Sequence, residues 1–175
     1  MVVWIIGLSG AGKTTIGHEL YLRLRARKPN VVFLDGDAVR AIMGHDLGHT
    51  LEDRRENARR IGRLCAHLDT QGVDVVCAIL SLFQDLRDWN RDHYREYFEV
   101  FVDVPMDVLV SRDDRGIYRA ALEGRSRDVV GVDIPFVPPE LADIVVRNTF
   151  APGSAGAFAD LILEAIDRTF ARSQA

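Results

Sequence analysis

The feature that most constrains the fold is a glycine-rich loop near the start of the chain. A short apolar run at residues 2–6 leads into Gly7-x-x-x-x-Gly12-Lys13-Thr14, which matches a phosphate-binding loop at every fixed position. Apolar residues at helical spacing follow, so the pattern predicts a strand, the loop and a helix in succession. Glycines let backbone N–H groups turn toward a polyphosphate, which would bind at the positive N-terminal end of the helix. The alternative is a turn that only connects strand and helix, but such a turn would not require the Lys-Thr pair.

Length and charge limit the classes of protein to which this chain can belong. Its 175 residues, of which 47% are hydrophobic, predict one domain spanning residues 1–175. The net charge is -4, whereas proteins that bind nucleic acid usually have an excess of basic residues, so no nucleic-acid partner is expected. No signal peptide is recognisable and no apolar run reaches the about 18 residues of a membrane span, which predicts a cytoplasmic protein without membrane contact. Cys65 and Cys77 lie among apolar residues and are expected to be buried free thiols.

Apolar segments along the chain predict an α/β fold. Strands are expected at residues 2–6, 31–34, 73–80, 98–104 and 144–146, and helices at 14–27, 51–71, 87–97, 106–111 and 158–170. Their alternation predicts three layers, with helices on both faces of a five-stranded parallel sheet. The strand at 31–34 is expected to be buried on both faces. Glycine and proline breaks at 129–139, after an arginine-rich stretch, predict a lid over roughly residues 112–139.

Two carboxylates follow the second predicted strand. Asp35 and Asp37 flank Gly36, and Arg40 lies one helical turn further on. Ligands of α/β proteins bind at the carboxyl ends of parallel strands, so this pair is predicted to face the ligand. An alternative role for Asp37 is to cap a helix that begins at Ala38. Capping would explain one of the two aspartates but not both.

The residues that accompany the phosphate loop narrow the kind of ligand. The chain has no Asn-Lys-x-Asp motif of the kind that reads guanine, and no aspartate ends the apolar strand at Ser81 as in a typical Walker B motif. A small-molecule kinase fits better, because such enzymes need an acceptor pocket, a base and arginines that close over the phosphoryl group. Arg54 and Asn57 on the predicted helix 51–71 are candidates for the pocket, and an ordinary solvated helix face is the alternative.

Six segments resemble the adenylylsulfate (APS) kinase family in their order and approximate spacing, from residue 2 to about residue 148. They are Gly7-Leu8-Ser9-Gly10-Ala11-Gly12-Lys13-Thr14-Thr15, Leu34-Asp35-Gly36-Asp37-x-x-Arg40, Asp53-Arg54-x-Glu56-Asn57-x-Arg59-Arg60-Ile61, Phe101-Val102-Asp103-x-Pro105, Arg112-Asp113-x-x-Gly116-x-Tyr118 and Gly131-Val132-Asp133-x-Pro135-Phe136. The resemblance implies a P-loop kinase fold and transfer of the γ-phosphoryl group of ATP to the ribose 3′-hydroxyl of APS, which produces PAPS. It also implies a small nucleotide substrate, Mg²⁺ and a homodimer.

The same resemblance implies a role for each matched residue. Asp37 is identified as the base that faces the 3′-hydroxyl, and Asp35 with Thr14 as the Mg²⁺ site. Lys13 would act on the β and γ phosphates, and Ser81 aligns with an active-site serine of the family. The ATP side is expected to comprise Gly7, Ser9, Gly10, Ala11, Gly12, Lys13, Thr14, Thr15, Arg112 and Arg115. The acceptor side is expected to comprise Arg40, His49, Arg54, Asn57, Ser81, Arg127, Val129 and Val130.

Two positions depart from the family pattern where the base of the acceptor would bind. APS kinases usually carry phenylalanines that sandwich the adenine of APS, and this chain has His49 and Val129 in their place. Loss of an aromatic face forfeits about 1–3 kcal/mol of stacking on a base. The Ser-Pro-aromatic segment of the family is also altered, to Ser81-Leu82-Phe83.

Three functions are compatible with this pattern. APS is the preferred acceptor, since His49 can still stack on adenine and Val129 can form an apolar floor. A kinase for another nucleotide-linked acceptor, such as cytidine diphosphoramidate, would keep the catalytic residues and change the base pocket. A nucleotide-binding module without catalysis is the third, and the retained Lys13, Asp35 and Asp37 argue against it.

Overall fold

The computed structural model describes residues 1–171, which form five strands and seven helices. The strands are β1 (Val2–Ile6), β2 (Val31–Asp35), β3 (Asp74–Ile79), β4 (Tyr97–Asp103) and β5 (Ile144–Arg147). The helices are α1 (Lys13–Arg27), α2 (Gly36–Ile42), α3 (Leu51–Thr70), α4 (Gln84–His93), α5 (Met106–Ser111), α6 (Ile117–Leu122) and α7 (Ser154–Ala171). The α/β class predicted from the alternation of apolar segments is confirmed.

All five strands form one parallel sheet in the order β2-β3-β1-β4-β5. β1 lies at its centre, where every residue of Val2–Ile6 is at most 1% exposed. The chain places β2 and β3 on one side of β1 and then crosses to place β4 and β5 on the other. Ligand crevices form at the carboxyl edge of a sheet at such a switch point. The phosphate loop follows β1 and therefore enters this crevice directly.

Alternate residues of β1 face two separate hydrophobic cores. Val3 and Ile5 pack in a cluster that includes residues of α1 and α7. Trp4 and Ile6 pack on the opposite face in a cluster that includes Ile61 of α3. Side chains along a strand alternate between faces, so a continuous apolar strand requires helices on both sides. This arrangement confirms the three-layer fold with a five-stranded parallel sheet.

Some details differ from the sequence expectations. β2 is an edge strand that packs against the hydrophobic cores on both faces of the sheet, but four of its five residues are only half-buried, so the expected burial is partial. A short apolar run looks the same in the middle and at the edge of a sheet, which is why the pattern does not distinguish them. The helix expected at 87–97 spans Gln84–His93 instead, and α6 was not expected. Cys65 and Cys77 are buried and free, as predicted.

The predicted lid region, residues 112–139, contains α6 and a tight turn. The buried side chain of Tyr118 on α6 donates its hydroxyl hydrogen to the carbonyl of Ser9, at 2.8 Å. The carboxylate of Asp133 accepts the backbone N–H groups of Asp128 and Val129 at 2.5 and 2.6 Å, which closes the turn. The Tyr118 contact attaches the region to the phosphate loop, and its movement as a lid stays a prediction. No helix in residues 1–171 is both long and apolar enough to cross a membrane.

Candidate active site

A cleft of about 810 Å³ opens at the carboxyl edge of the sheet. It is bounded by the phosphate loop, the end of β2, α3, the lid region and the loop after β5. Its lining includes Ser9, Gly10, Gly12, Lys13, Thr14, Thr15, Asp35, Asp37, Arg54, Arg112, Arg115, Tyr118, Asn148 and Phe150. The phosphate loop and the two aspartates after β2 therefore meet in one cleft.

Side chains from outside the phosphate loop hold two of its carbonyl groups. Tyr118 donates to the carbonyl of Ser9 at 2.8 Å, and the Asn148 amide donates to the carbonyl of Ala11 at 2.9 Å. Gly12, at the start of α1, has a φ of 93°, a left-handed value that favours glycine. In a planar trans peptide, the carbonyl of one residue and the N–H of the next point in opposite directions, so a hydrogen bond that fixes the carbonyl also fixes the N–H. These contacts therefore fix the direction of the backbone donors before a ligand binds.

Lys13 is the first residue of α1, and its ammonium group donates to the carbonyl of Leu8 at 2.8 Å. Burial lowers the pKa of Lys13 to about 8, although the nearby carboxylates of Asp37 and Asp35 oppose the shift. The side chain is still charged at neutral pH. A triphosphate beside it would add negative charge and raise the pKa again.

Binding of ATP should therefore be coupled to protonation of Lys13. The free protein loses this proton as pH rises through about 8, whereas a bound triphosphate favours the charged form. The affinity for ATP is therefore expected to fall above that pH. Calorimetry at about pH 9 in two buffers of different ionisation enthalpy should detect uptake of up to about one proton per ATP. Lys13→Met should abolish this uptake, and uptake that persists in the variant would assign the proton to another group.

The carboxylate of Asp35 has two tasks. One oxygen accepts the hydroxyl of Thr14 at 2.6 Å. The other caps α2 by accepting the backbone N–H groups of Asp37 at 2.9 Å and Ala38 at 3.3 Å. The helix thus begins at Gly36 with Asp35 as its cap, and the alternative in which Asp37 caps a helix from Ala38 is wrong. Because Asp35 satisfies the helix terminus, Asp37 is not needed for capping.

Asp37 presents a solvent-accessible carboxylate to the cleft. Its side chain is 83% exposed and projects from the first turn of α2. A guanidinium nitrogen of Arg115, in the lid region between α5 and α6, lies 3.8 Å from this carboxylate. An exposed pair at this separation contributes little to stability. Both side chains are therefore available for a ligand that enters between β2 and the lid region.

Arg40 holds the loop between α2 and α3. One of its terminal nitrogens donates to the carbonyls of Gly48 at 2.5 Å and Leu47 at 3.2 Å. Its Nε is buried and has no hydrogen-bond partner within residues 1–171. A buried guanidinium nitrogen without a partner is costly, because the donor has lost water and gained nothing. Arg40 is not part of the cleft lining, so its contact with an acceptor anion stays a prediction.

Arg54, which lines the cleft, connects the loop before α3 to the turn at Asp128. Its Nε donates to the carbonyl of His49 at 2.8 Å, and a terminal nitrogen donates to the carbonyl of Asp128 at 2.7 Å. Burial and the charge of Arg40 lower the pKa of Arg54 from its usual value. Burial and the two arginines also lower the pKa of His49, which keeps its imidazole neutral at pH 7. A neutral ring among cations suits contact with a nucleotide base.

Several residues predicted for the acceptor side do not line the cleft. The buried hydroxyl of Ser81 accepts the indole N–H of Trp4 at 2.9 Å, so it faces the core. Val129 and Val130 are 7% and 5% exposed and belong to the core on the α1 side. Adjacency to a site along the chain does not determine the direction of a side chain, which packing decides. Their substrate contacts stay predictions.

Four more acceptor-side residues, Arg40, His49, Asn57 and Arg127, also lie outside the lining of the cleft. Asn57 is buried on α3 at 7% exposure. Arg127 is exposed in the turn before Asp128, and within residues 1–171 its side chain makes no hydrogen bond. Their roles likewise stay predictions.

Two residues that line the cleft, Asn148 and Phe150, are not among the predicted site residues. Phe150 lines the cleft, and the guanidinium of Arg112 lies 4.1 Å from the centre of its ring. Asn148 bonds both to the phosphate loop and to the backbone N–H of Phe150. Both residues directly follow β5, so their position at the carboxyl end of a parallel strand was the available signal.

The fold and the cleft together define a P-loop kinase of the kind that phosphorylates small molecules. A family model described as adenylylsulphate kinase matches residues 1–147. The chain belongs to the adenylylsulphate kinase family, and it is an ATP-dependent kinase with a small nucleotide substrate.

Individual relatives agree with this assignment. A structure of the Mycobacterium tuberculosis APS kinase CysC in complex with AMPPNP and APS has a TM-score of 0.84 and 28% identity, and the match covers 95% of this chain and 96% of that chain. The adenylyl-sulfate kinase of Synechococcus sp. strain JA-3-3Ab is 38% identical over 166 residues, 95% of this chain and 93% of the relative. The cytidine diphosphoramidate kinase of Campylobacter jejuni is 38% identical over 148 residues, 85% of this chain and 86% of the relative.

Proposed function

We propose that the protein is an APS kinase, which transfers the γ-phosphoryl group of ATP to the ribose 3′-hydroxyl of adenylylsulfate and forms PAPS. The observation that carries the proposal is the presence of Lys13, Asp37 and Arg54 in the lining of one cleft. A donor-binding loop, a free carboxylate and a cation for an anionic acceptor are the parts that this transfer needs. The similarity to the Synechococcus adenylyl-sulfate kinase over 95% of the chain supports APS as the acceptor.

The residues on the donor side fit ATP together with Mg²⁺. Mg²⁺ usually binds one or two protein oxygens together with phosphates and water. Thr14 and Asp35 would provide these oxygens, since the hydroxyl and the carboxylate already lie 2.6 Å apart. Bound there, the ion would neutralise charge on the β and γ phosphates. Lys13 adds a fixed positive charge from the same edge of the loop.

Asp37 would act as the base on the acceptor. As the 3′-oxygen attacks the γ-phosphorus, the hydroxyl proton passes to the Asp37 carboxylate and ADP leaves with the electrons of the broken bond. Arg54, which lines the cleft, would bind the anionic phosphosulfate of APS, and the family resemblance assigns Arg40 to the same anion. Arg115 lies close enough to Asp37 to turn toward the phosphoryl group in transfer.

An acceptor screen tests this assignment. Purified protein with ATP and Mg²⁺ is offered APS, cytidine diphosphoramidate, gluconate, shikimate or no acceptor, and ADP release is followed by a coupled assay. We expect release that depends on APS, with phosphate appearing at the 3′-oxygen of the product. Release that is equal without any acceptor would identify an ATPase instead. Binding of ATP with no release in any reaction would identify a non-catalytic module.

Cytidine diphosphoramidate is a second candidate acceptor, and one structural observation favours it. Val129 lies in the core and offers little surface to a base, so this pocket lacks the second aromatic face that the family resemblance associates with the adenine of APS. The Campylobacter jejuni cytidine diphosphoramidate kinase, similar over 85% of the chain, supports the same alternative. APS remains the main proposal, and the two acceptors compete directly in the screen.

His49→Phe should improve the use of APS if residue 49 stacks on the base of the acceptor. A full aromatic stack is worth about 1–3 kcal/mol, and a neutral imidazole already supplies part of it, so we expect the KM for APS to fall by about 3- to 10-fold. The KM for ATP should not change. His67→Phe, at an exposed position in the last turn of α3, is the matched control. An unchanged KM for APS would remove residue 49 from the base pocket.

We further propose that the protein acts in the cytoplasm. We also propose that it works as a homodimer, because the family resemblance implies one. Sedimentation velocity of the purified chain tests the dimer. A single species with the mass of one chain at micromolar concentration would contradict it.

A further inference from the structure

Asn148 connects two loops that line the same cleft. It follows β5 directly, is 6% exposed, and its own N–H donates to the carbonyl of Asp103 at 3.1 Å. Its side-chain amide donates to the carbonyl of Ala11 at 2.9 Å and accepts the backbone N–H of Phe150 at 3.0 Å. One side chain thus satisfies a group in the phosphate loop and a group in the loop after β5.

On the phosphate side, Asn148 determines the direction of one peptide. The amide holds the Ala11 carbonyl on its own side, and in a planar trans peptide the N–H of Gly12 then points the opposite way. The approach is close, because a Cβ on Gly12 would lie 2.6 Å from the Asn148 amide nitrogen. Any larger residue at position 12 would displace the amide that orients this donor.

On the other side, Asn148 holds an aromatic residue in an unfavourable backbone conformation. Phe150 has a φ of 59°, a left-handed value that is rare for a bulky side chain and costs free energy. The hydrogen bond from its N–H to the Asn148 amide oxygen stabilises this conformation. The ring faces the guanidinium of Arg112 at 4.1 Å, and both residues line the cleft.

We propose that Asn148 is a positioning residue for ATP. It links the phosphate loop, which would bind the phosphates, to Phe150, whose ring would contact the base of ATP. It acts through the backbone of Ala11 and Gly12 on one side and through Phe150 on the other. The inference rests on the donor half of the proposed function and does not depend on the identity of the acceptor.

The test compares binding of ATP, tripolyphosphate and APS to the full chain by calorimetry. Asn148→Asp keeps the acceptor for the Phe150 N–H but faces the Ala11 carbonyl with a carboxylate oxygen. The variant should lower the affinity for both ATP and tripolyphosphate by about 10- to 100-fold, and the affinity for APS should stay within about twofold. Phe150→Ala should lower the affinity for ATP, because it removes the ring that would contact the base. The affinity for tripolyphosphate, which has no base, should stay within about twofold. If Asn148→Asp fails to fold, Asn148→Ala replaces it in the test. This variant adds no charge and should lower the affinity for both ATP and tripolyphosphate.

A matched control separates positioning from general stability. Asn90 is another buried asparagine, 2% exposed on α4, whose amide oxygen accepts the hydroxyl of Tyr94 at 2.8 Å. Asn90→Asp should lower the melting temperature without changing ATP affinity. Equal loss of ATP affinity in the Asn90 and Asn148 variants, or unchanged tripolyphosphate binding in both Asn148 variants, would overturn the inference. Lys13→Ala provides the reference: if it leaves ATP binding intact, the proposed donor site itself fails.

Discussion

Asp37→Asn is expected to reduce kcat by about 10²–10⁴-fold while the affinity for ATP stays within about twofold. The amide has nearly the shape of the carboxylate but cannot accept the proton of the acceptor hydroxyl. The helix should be unaffected, because Asp35 and not Asp37 caps α2. Steady-state kinetics with APS and calorimetry with ATP would measure the two effects separately.

Asp107→Asn is the matched control for this substitution. Asp107 is also an exposed aspartate in the first turn of a helix, α5, but it lies outside the lining of the cleft. Its variant should keep normal turnover and a normal melting temperature. Near-normal turnover in Asp37→Asn would exclude Asp37 as the base. Another group in the cleft would then have to accept the proton of the acceptor hydroxyl.

The second large effect is expected for Lys13→Ala, which should impair both ATP binding and turnover. Its charged hydrogen bonds to the phosphates would be lost, and removal of one such preorganised donor typically costs about 10²–10³-fold in kcat. The KM for ATP should rise as well, because the same contacts exist before the reaction. This separates Lys13 from Asp37, whose loss should spare ATP binding.

The chain offers a direct comparison, since it contains a second lysine, Lys28. That side chain is 43% exposed and forms an ion pair with Asp74 at the amino end of β3, opposite to the edge where the cleft opens. Lys28→Ala should leave both kcat and the KM for ATP unchanged. A loss of kcat in Lys13→Ala without any change in ATP affinity would contradict the proposed contact with ATP before transfer.

Much of the frame of this protein was predictable because its signals are local. The phosphate loop needs glycines and a helix start within eight residues, and Gly7 to Thr14 satisfy that requirement in the sequence alone. Continuous apolar runs alternating with helical spacing allow few folds besides a parallel sheet covered on both faces. The carboxyl ends of such strands converge, so the sequence alone predicts that Asp35 and Asp37 lie near the loop.

The directions of individual side chains were not predictable in this way. Ser81 follows β3 and was expected in the cleft, but its φ of 50° and the indole of Trp4 turn its hydroxyl toward the core. Val129 was expected to face a base, yet it packs among core residues. The choice between Asp35 and Asp37 as helix cap depended on where α2 begins, and a shift of two residues reverses it.

Local pattern was enough to establish the three-layer class, the donor loop and the family resemblance, because each depends on residues that are neighbours along the chain. Tertiary packing alone decided which side chains support that loop. Tyr118 and Asn148 reach it from 109 and 137 residues away, and no periodicity or motif records such a contact. The sheet order decides these positions: β5 pairs with β4 and not with β1, and Asn148 still reaches the loop after β1 because of how the whole chain folds.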